Sequence, residues 1–287
     1  MSENQFYIHL PSDSSFGVYP DNTIAKFSTK LARTIELDGD YEVGLSEILF
    51  PADYYNIDNR SEDYTFGIKQ IVLLEDNEKT QETYFIKRKI ESALYYSKSE
   101  VISKIYSQIN RDISERNIPA TIMIDLDSSG RVTIVISRYG PTISVTTEQG
   151  ATVSMFFELS EQFSKRLGFD KKVSISLDNT NPLRADHKFD LHMGKKLMYI
   201  YSDVVSYSLV GDVSVPLLRA CSLPEPSTNN TIHLSFPDVH YKPVQKSQFD
   251  TIDISINTEE GLLMPFQSGK VLITLHFRRA LKLPLLR

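Results

Sequence analysis

The chain has 287 residues, 41% hydrophobic and 24% charged, and its 31 Lys and Arg against 37 Asp and Glu give a formal net charge of −6. A folded chain of this size hides roughly three-quarters of its unfolded surface, so an apolar core suffices to hold it, while the acidic balance argues against wholesale coating of nucleic acid. A single cysteine, Cys221, excludes an intrachain disulfide and a Cys-rich zinc site, and no stretch reaches the ~18 apolar residues of a membrane-spanning helix.

The opening Met1-Ser2-Glu3-Asn4-Gln5 carries neither the basic nor the apolar region of a secretory leader. Apolar residues then recur with a period of two, the signature of half-buried strands. Strands are expected over residues 6–10, 24–29, 42–50, 66–74 and 83–89. A helix is expected after Ser97, where Ser97 and Glu100 have capping-box spacing and Val101, Ile105, Ile109 and Ile113 form a stripe ending near Asn117. Ile122, Ile124 and Leu126, then Asp127-Ser128-Ser129-Gly130, then Val132, Ile134 and Ile136 read as a hairpin. A second, shorter helix is expected with Ser160 as its cap, Phe163 and Leu167 on one face and Gly168 as its left-handed terminus. Strands follow over 173–177, 197–203, 213–221 and 239–244. The clearest alternation closes the chain: Ile252, Ile254, Ile256, then Val271, Ile273, Leu275, Phe277.

Both ends carry only strand and turn signals, and both helices fall between them. The expected architecture is therefore mostly β: a β-sandwich built from segments 1–59 and 196–287, with a mixed α+β insertion at 60–195. Two sequential domains are the alternative. No repeat of 20 to 50 residues is present, which argues against a propeller or solenoid.

Catalytic chemistry finds little support. Phosphate-loop, dinucleotide, nucleophile-elbow and zinc-protease motifs are absent. His187 and His192, with Asp186 and Asp190, are spaced so that neither strand nor helix converges them on one ion, and a polar loop accounts for them. His233, Asp238 and His240 read as a solvated turn around Pro237. Cys221 ends an apparent strand and reads as a core residue. Asp250 and Asp253, and Glu259 with Glu260, are the carboxylate pairs a glycosidase would need, but parity and a turn context favour solvated charge. The run Lys87-Arg88-Lys89 lacks interleaved aromatics and reads as a solvated face. At the C-terminus, Leu281, Leu283, Leu285 and Leu286 surround Pro284, and either fold back on the chain or dock on a neighbouring subunit.

Several segments, in order, resemble a known group. They are Phe6-Tyr7-Ile8-His9-Leu10-Pro11-Ser12-Asp13-Ser14-Ser15, Tyr19-Pro20-Asp21-Asn22-Thr23 and Phe27-Ser28-Thr29-Lys30-Leu31, then Ile35-Glu36-Leu37-Asp38-Gly39-Asp40-Tyr41-Glu42-Val43-Gly44-Leu45-Ser46-Glu47-Ile48. Leu159-Ser160 to Leu167-Gly168-Phe169, Tyr201-Ser202-Asp203-Val204-Val205, Val210-Gly211-Asp212 to Pro216-Leu217-Leu218-Arg219, and Gly269-Lys270-Val271 to Leu275-His276-Phe277-Arg278-Arg279 continue the series. Together, across about residues 6–279, they resemble the minor capsid (penton) proteins of Polinton (Maverick) elements and related eukaryotic double-stranded DNA viruses. Tyr41 stands where that group usually has tryptophan.

The resemblance implies a single jelly roll, a homopentamer at the five-fold vertices of an icosahedral virion, and a separate double jelly-roll major capsid protein as partner. It implies an insertion that projects as a tower available to a host surface receptor. No enzyme activity, cofactor or metal is expected, given the missing motifs, and no direct nucleic-acid contact, given the acidic balance. Asp203, Gly211, Asp212, Pro216, Leu217, Leu218, Arg219, Phe277 and Arg278 are the candidate signature, as a subunit interface or as internal support of the fold. The alternative functions are a β-sandwich that recognises a glycan or receptor, which 15 tyrosines favour and the lack of tryptophan disfavours, and a glycosidase.

Overall fold

The structure is a computed structural model that describes residues 5–73, 80–141, 143–146, 152–225, 227 and 230–280. The chain opens with three strands, β1 (Gln5–Pro11), β2 (Lys26–Glu36) and β3 (Tyr41–Pro51). A mixed segment follows: β4 (Thr65–Leu73), β5 (Thr80–Lys89), α1 (Lys98–Glu115), β6 (Ala120–Leu126), β7 (Arg131–Arg138), β8 (Val145–Thr146), β9 (Thr152–Leu159), α2 (Glu161–Arg166), β10 (Ser174–Ser176) and β11 (Leu183–Lys188). The remainder is again all strand: β12 (Leu197–Ser202), β13 (Ser208–Val210), β14 (Val213–Val215), β15 (Leu217–Ser222), β16 (Thr231–Ser235), β17 (Lys242–Pro243), β18 (Gln248–Thr258) and β19 (Leu272–Arg279). The chain divides into two compact units: residues up to Tyr55 together with those from Gly194 on, and Asn56–Met193.

The first unit is defined by the order of its strands. One sheet runs β1-β19-β3-β16, with β17 also on β3, and the other runs β15-β12-β18-β2. Numbered within this unit, with β13, β14 and β17 set aside, the eight strands lie as first–eighth–third–sixth and second–seventh–fourth–fifth. All pairings are antiparallel. That order is the jelly roll, two interlocked Greek keys in which the chain alternates between facing sheets. The long-range register ties the ends together: Gln5 pairs with Arg278 and Pro11 with Leu272.

Period-two patterning explains the core. In β18, Ile252, Ile254 and Ile256 are buried while Asp253 is exposed. In β19, Ile273, Leu275 and Phe277 point inward to meet Val43, Leu45 and Ile48 of β3 and Phe27, Met198 and Ile200 of the opposing sheet in one cluster. Each such side chain contributes about 1.5–3 kcal/mol by leaving water. Thr274 and His276 are buried too, on the other face of β19. There His9 bonds Thr274 through its ring (3.1 Å), and the Tyr7 ring stacks on His276 at 4.4 Å.

The second unit has a sheet β10-β9-β4-β5, with β8 on β9, and a three-stranded sheet β11-β7-β6. Helix α1 buries Val101, Ile102, Ile105, Ile109 and Ile113, in one cluster with Ile122, Ile124, Ile134 and Phe157. Its cap is half the expected box. The Ser97 hydroxyl accepts the Glu100 amide (3.2 Å), but the Glu100 carboxylate reaches one residue further back, to the Tyr96 amide (3.3 Å). Asn110 clips the outer edge of β6 by bonding both the carbonyl and the amide of Ile122 (2.7 and 2.8 Å). Asp112 is buried and takes two 2.7 Å bonds from Arg88, a member of the basic run on β5.

Helix α2 departs from expectation in its cap and in its purpose. Ser160 holds the N-cap position, but its side chain makes no cap bond; its hydroxyl instead donates to the Asp63 carbonyl at 2.6 Å. Gly168 does adopt the left-handed conformation, φ +96°, and a Cβ there would lie 2.2 Å from the His187 carbonyl oxygen. The helix delivers Arg166 into the interior with no exposure. Its guanidinium donates to the carbonyls of Asn56 (3.1 Å), Leu191 (2.8 Å) and Met193 (2.8 Å), pairs with the buried Glu62 at 3.4 Å, and lies 4.9 Å from the Tyr64 ring centroid. The Tyr64 hydroxyl donates to the same carboxylate at 2.5 Å. Burial, first, and the neighbouring Glu62 drive the Tyr64 pKa far above its ordinary value, against the lowering pull of Arg166.

Four further expectations change. The strand expected over 213–221 is broken at Pro216 into β14 and β15, because proline cannot continue the ladder. Asp186, His187 and Lys188 lie in β11 rather than a polar loop, and His233 lies in β16 rather than a turn. Of residues 239–244 only Lys242 and Pro243 form a strand. The leucines from Leu281 onward and Leu74 fall outside the described residues.

Candidate subunit interface

The jelly roll makes one excursion with no core of its own, between β12 and β15. Asp203 starts it. One carboxylate oxygen accepts the Asp253 amide at 2.8 Å and the other takes the Lys246 ammonium. Val204 and Val205 plug into the core. The backbone then zips to the 243–245 segment: the Ser206 amide donates to the Pro243 carbonyl (2.9 Å) and the Gln245 amide to the Val204 carbonyl (2.9 Å). Lys242, whose pKa is lowered by burial, donates to the Ser208 hydroxyl at 3.0 Å.

Beyond this anchor stands a hairpin of β13 and β14, a two-stranded sheet by itself. Gly211 and Asp212 form its two-residue turn. Gly211 has φ +61°, which places glycine at the first central position, as a type II′ connection requires. Val210 pairs with Val213 and Leu209 with Ser214. Leu209 is 81% exposed, Tyr207 59% and Val213 51%. Pro216 ends the excursion, and its carbonyl accepts the Ser202 amide at 3.1 Å. A cavity of about 450 Å³ lies against this anchor, lined by Lys26, Tyr201, Asp203, Tyr207, Pro216 and Asp253 among others.

The other signature residues separate from this group. Leu217 pairs with Tyr201 across a register shift, and Leu218 is buried in the core. Arg219 lies 3.9 Å from the Phe236 ring centroid and donates to the Asp238 carbonyl at 3.1 Å, both within the chain. Phe277 is buried, stacked at 4.9 Å on Phe6. Arg278 lies over the Tyr241 ring at 3.4 Å and donates to Glu42 at 3.0 and 3.1 Å. Beside it His276 bonds the Tyr241 hydroxyl at 2.6 Å. Burial, and then the Arg278 charge, hold the His276 pKa below its ordinary value.

The candidate catalytic groups are dispersed. His187 meets Asp170 at 2.8 Å on an exposed surface, and His233 sits 3.8 Å from Glu47. Asp250 is drawn down in pKa by its bond to Lys30. Cys221 is buried, and burial pushes its thiol up to about 11. Among the described residues no three His, Cys, Asp or Glu side chains are grouped to hold a metal ion, and no helix is long and apolar enough to cross a membrane. Lys26, Tyr201, Tyr207 and Lys246 were not legible as site residues. The alternation of β18 marks Asp253 as outward-facing, but nothing in the sequence says which side chains gather around it.

Strand order and insertion point together define the class: a single jelly roll, interrupted between its third and fourth strands by a mixed α+β unit. No family model matches the chain, nor does any curated protein sequence. Among solved structures the chain is similar to the mavirus penton protein, at 14% identity over 96% of this chain and 99% of that one, with a TM-score of 0.49. It is also similar to a chain of the Sputnik virophage, at 9% identity over 96% and 98%, with a TM-score of 0.41.

Proposed function

We propose that this chain is a structural capsid protein, a penton subunit that assembles as a homopentamer at the five-fold vertices of an icosahedral virion. The observation that carries the reading is the complete jelly-roll order of the eight strands, with a second unit inserted at one connection. The segments resembling pentons fall on the framework strands β1, β2, β3, β12, β15 and β19 of that jelly roll, on the turn and second strand of its β13–β14 hairpin, and on β9 and α2 of the inserted unit.

In this reading the sandwich supplies a rigid block whose flank meets the next subunit head to tail. Such a heterologous contact closes into a ring only at a fixed rotation, 360° divided by the number of subunits. In this reading the inserted unit, which has its own core, is the part offered to a host surface. A double jelly-roll major capsid protein fills the remaining lattice. The signature residues divide their work: Leu218 and Phe277 hold the core, Arg219 and Arg278 pin outer faces, and the excursion Asp203 to Pro216 meets the neighbour.

The test is reconstitution of the double jelly-roll protein with and without this chain, imaged by electron cryomicroscopy. Density for this chain at the five-fold vertices is expected. Shells that close with those vertices empty in its presence overturn the proposal.

A further inference from the structure

We infer that the β13–β14 hairpin is the knob of the subunit contact and that the cavity at its foot is the socket, occupied by the hairpin of a second copy of this chain. The inference rests on the ring-forming reading above and names the surface that builds the ring.

A two-stranded hairpin with no third strand and no core is at best marginally stable in water. This one nonetheless carries Tyr207, Leu209 and Val213, each more than half exposed, within seven residues. Apolar side chains grouped in this way mark a surface that another molecule covers. Leu209 is the extreme, at 81%, yet its backbone is held by the register with Ser214 and by the anchor at Asp203. The knob is therefore preformed, which lowers the ordering cost of binding.

The same chain offers a matching receptor. The cavity is about 450 Å³, with Phe27 and Ile254 of the second sheet among its lining. Of its charged groups, Asp203 and Lys246 neutralise one another. Lys26 and Asp253 make no ion pair among the described residues. The hairpin brings one charge, Asp212, at its tip, and the hydroxyl of Ser214 beside Leu209. Asp212 complements Lys26, and the Ser214 hydroxyl gives Asp253 a donor. Apart from Tyr207, which borders both, knob and socket are different patches of one surface, so their union is head-to-tail, and a ring is the closed form.

The experiment is light scattering with size separation on the full chain across a concentration series, for wild type, Leu209→Asp, Asp212→Lys, Lys26→Asp and the Asp212→Lys/Lys26→Asp pair. Circular dichroism confirms the fold of each, which is expected because all three positions are exposed. Leu209→Asp is expected to remain at 32.7 kDa where wild type is assembled. Each charge reversal is expected to raise the assembly midpoint about tenfold, and the pair to return it to within about threefold of wild type. A Leu209→Asp chain that assembles like wild type overturns this inference and leaves the proposed function standing. Single reversals without effect, or a pair that does not recover, overturn the cavity as the socket. A wild type that stays monomeric throughout overturns the ring-forming reading itself.

Discussion

Replacing Arg166 with methionine removes the buried organiser of the inserted unit while keeping much of its bulk. The guanidinium is fully buried and Glu62 nearly so. The substitution takes the Arg166 charge away from that carboxylate, which Tyr64 and Gln162 also engage, and leaves the carbonyls of Asn56, Leu191 and Met193 without the Arg166 donors. Breaking a buried pair from one side costs about 3–5 kcal/mol, and the methionine side chain offsets some of the lost packing. A net loss of about 4 kcal/mol is a large part of the ~5–15 kcal/mol that holds a domain. Hydrogen exchange read by mass spectrometry separates the units. Peptides from Asn56–Met193 are expected to lose protection by roughly three orders of magnitude, and those of the jelly roll to keep theirs. Adding Glu62→Leu removes the carboxylate that has lost its opposite charge and is expected to recover more than half of the loss. Unchanged protection in Arg166→Met, or a double variant worse than the single, refutes the reasoning.

Gly168→Ala tests the left-handed terminus of α2: a positive φ costs roughly 1–2 kcal/mol for an L-residue, and the added Cβ meets a backbone carbonyl that no rotamer change relieves. A measurably lower melting temperature is expected, and a wild-type melt refutes it. His276 has its pKa lowered by burial and by Arg278, so the unfolded chain binds a proton that the native one refuses. Its contribution to stability is thus present above about pH 6.5 and is lost as pH falls through the native pKa; denaturant midpoints followed from pH 8 to pH 5 should fall, and His276→Gln should flatten that slope. Cys221, with its thiol raised to about 11, should resist alkylation at pH 8 in the native protein and react once the chain unfolds; rapid native labelling contradicts its burial.

Local order was more legible than pairing. The alternation in β18 and β19 is visible because each has one face against a core, and the α1 stripe is visible because Val101, Ile105, Ile109 and Ile113 recur at every fourth residue. Strand β9 lacks alternation: it lies between β4 and β10, and its last residues, Phe157 to Leu159, are all buried. Strand β11 is an edge whose only buried residue is Ala185, so polar residues populate it and it reads as a loop. Strand β16 is short, and Pro237 and Asp238 just beyond it gave the stronger turn signal. Arg166 gave no signal, since a lone arginine next to a helix end normally faces water. The turn at Gly211-Asp212 was readable from residue chemistry. The cavity was not, because Lys26, Tyr201 and Asp253 come together only through the pairing of β2 and β12 with β18.

Native mass spectrometry of the purified chain decides whether this jelly roll closes a ring: a dominant species at five times 32.7 kDa is expected. A spectrum holding only the single-chain mass at every concentration, or a series of open-ended multiples with no closed species, contradicts it.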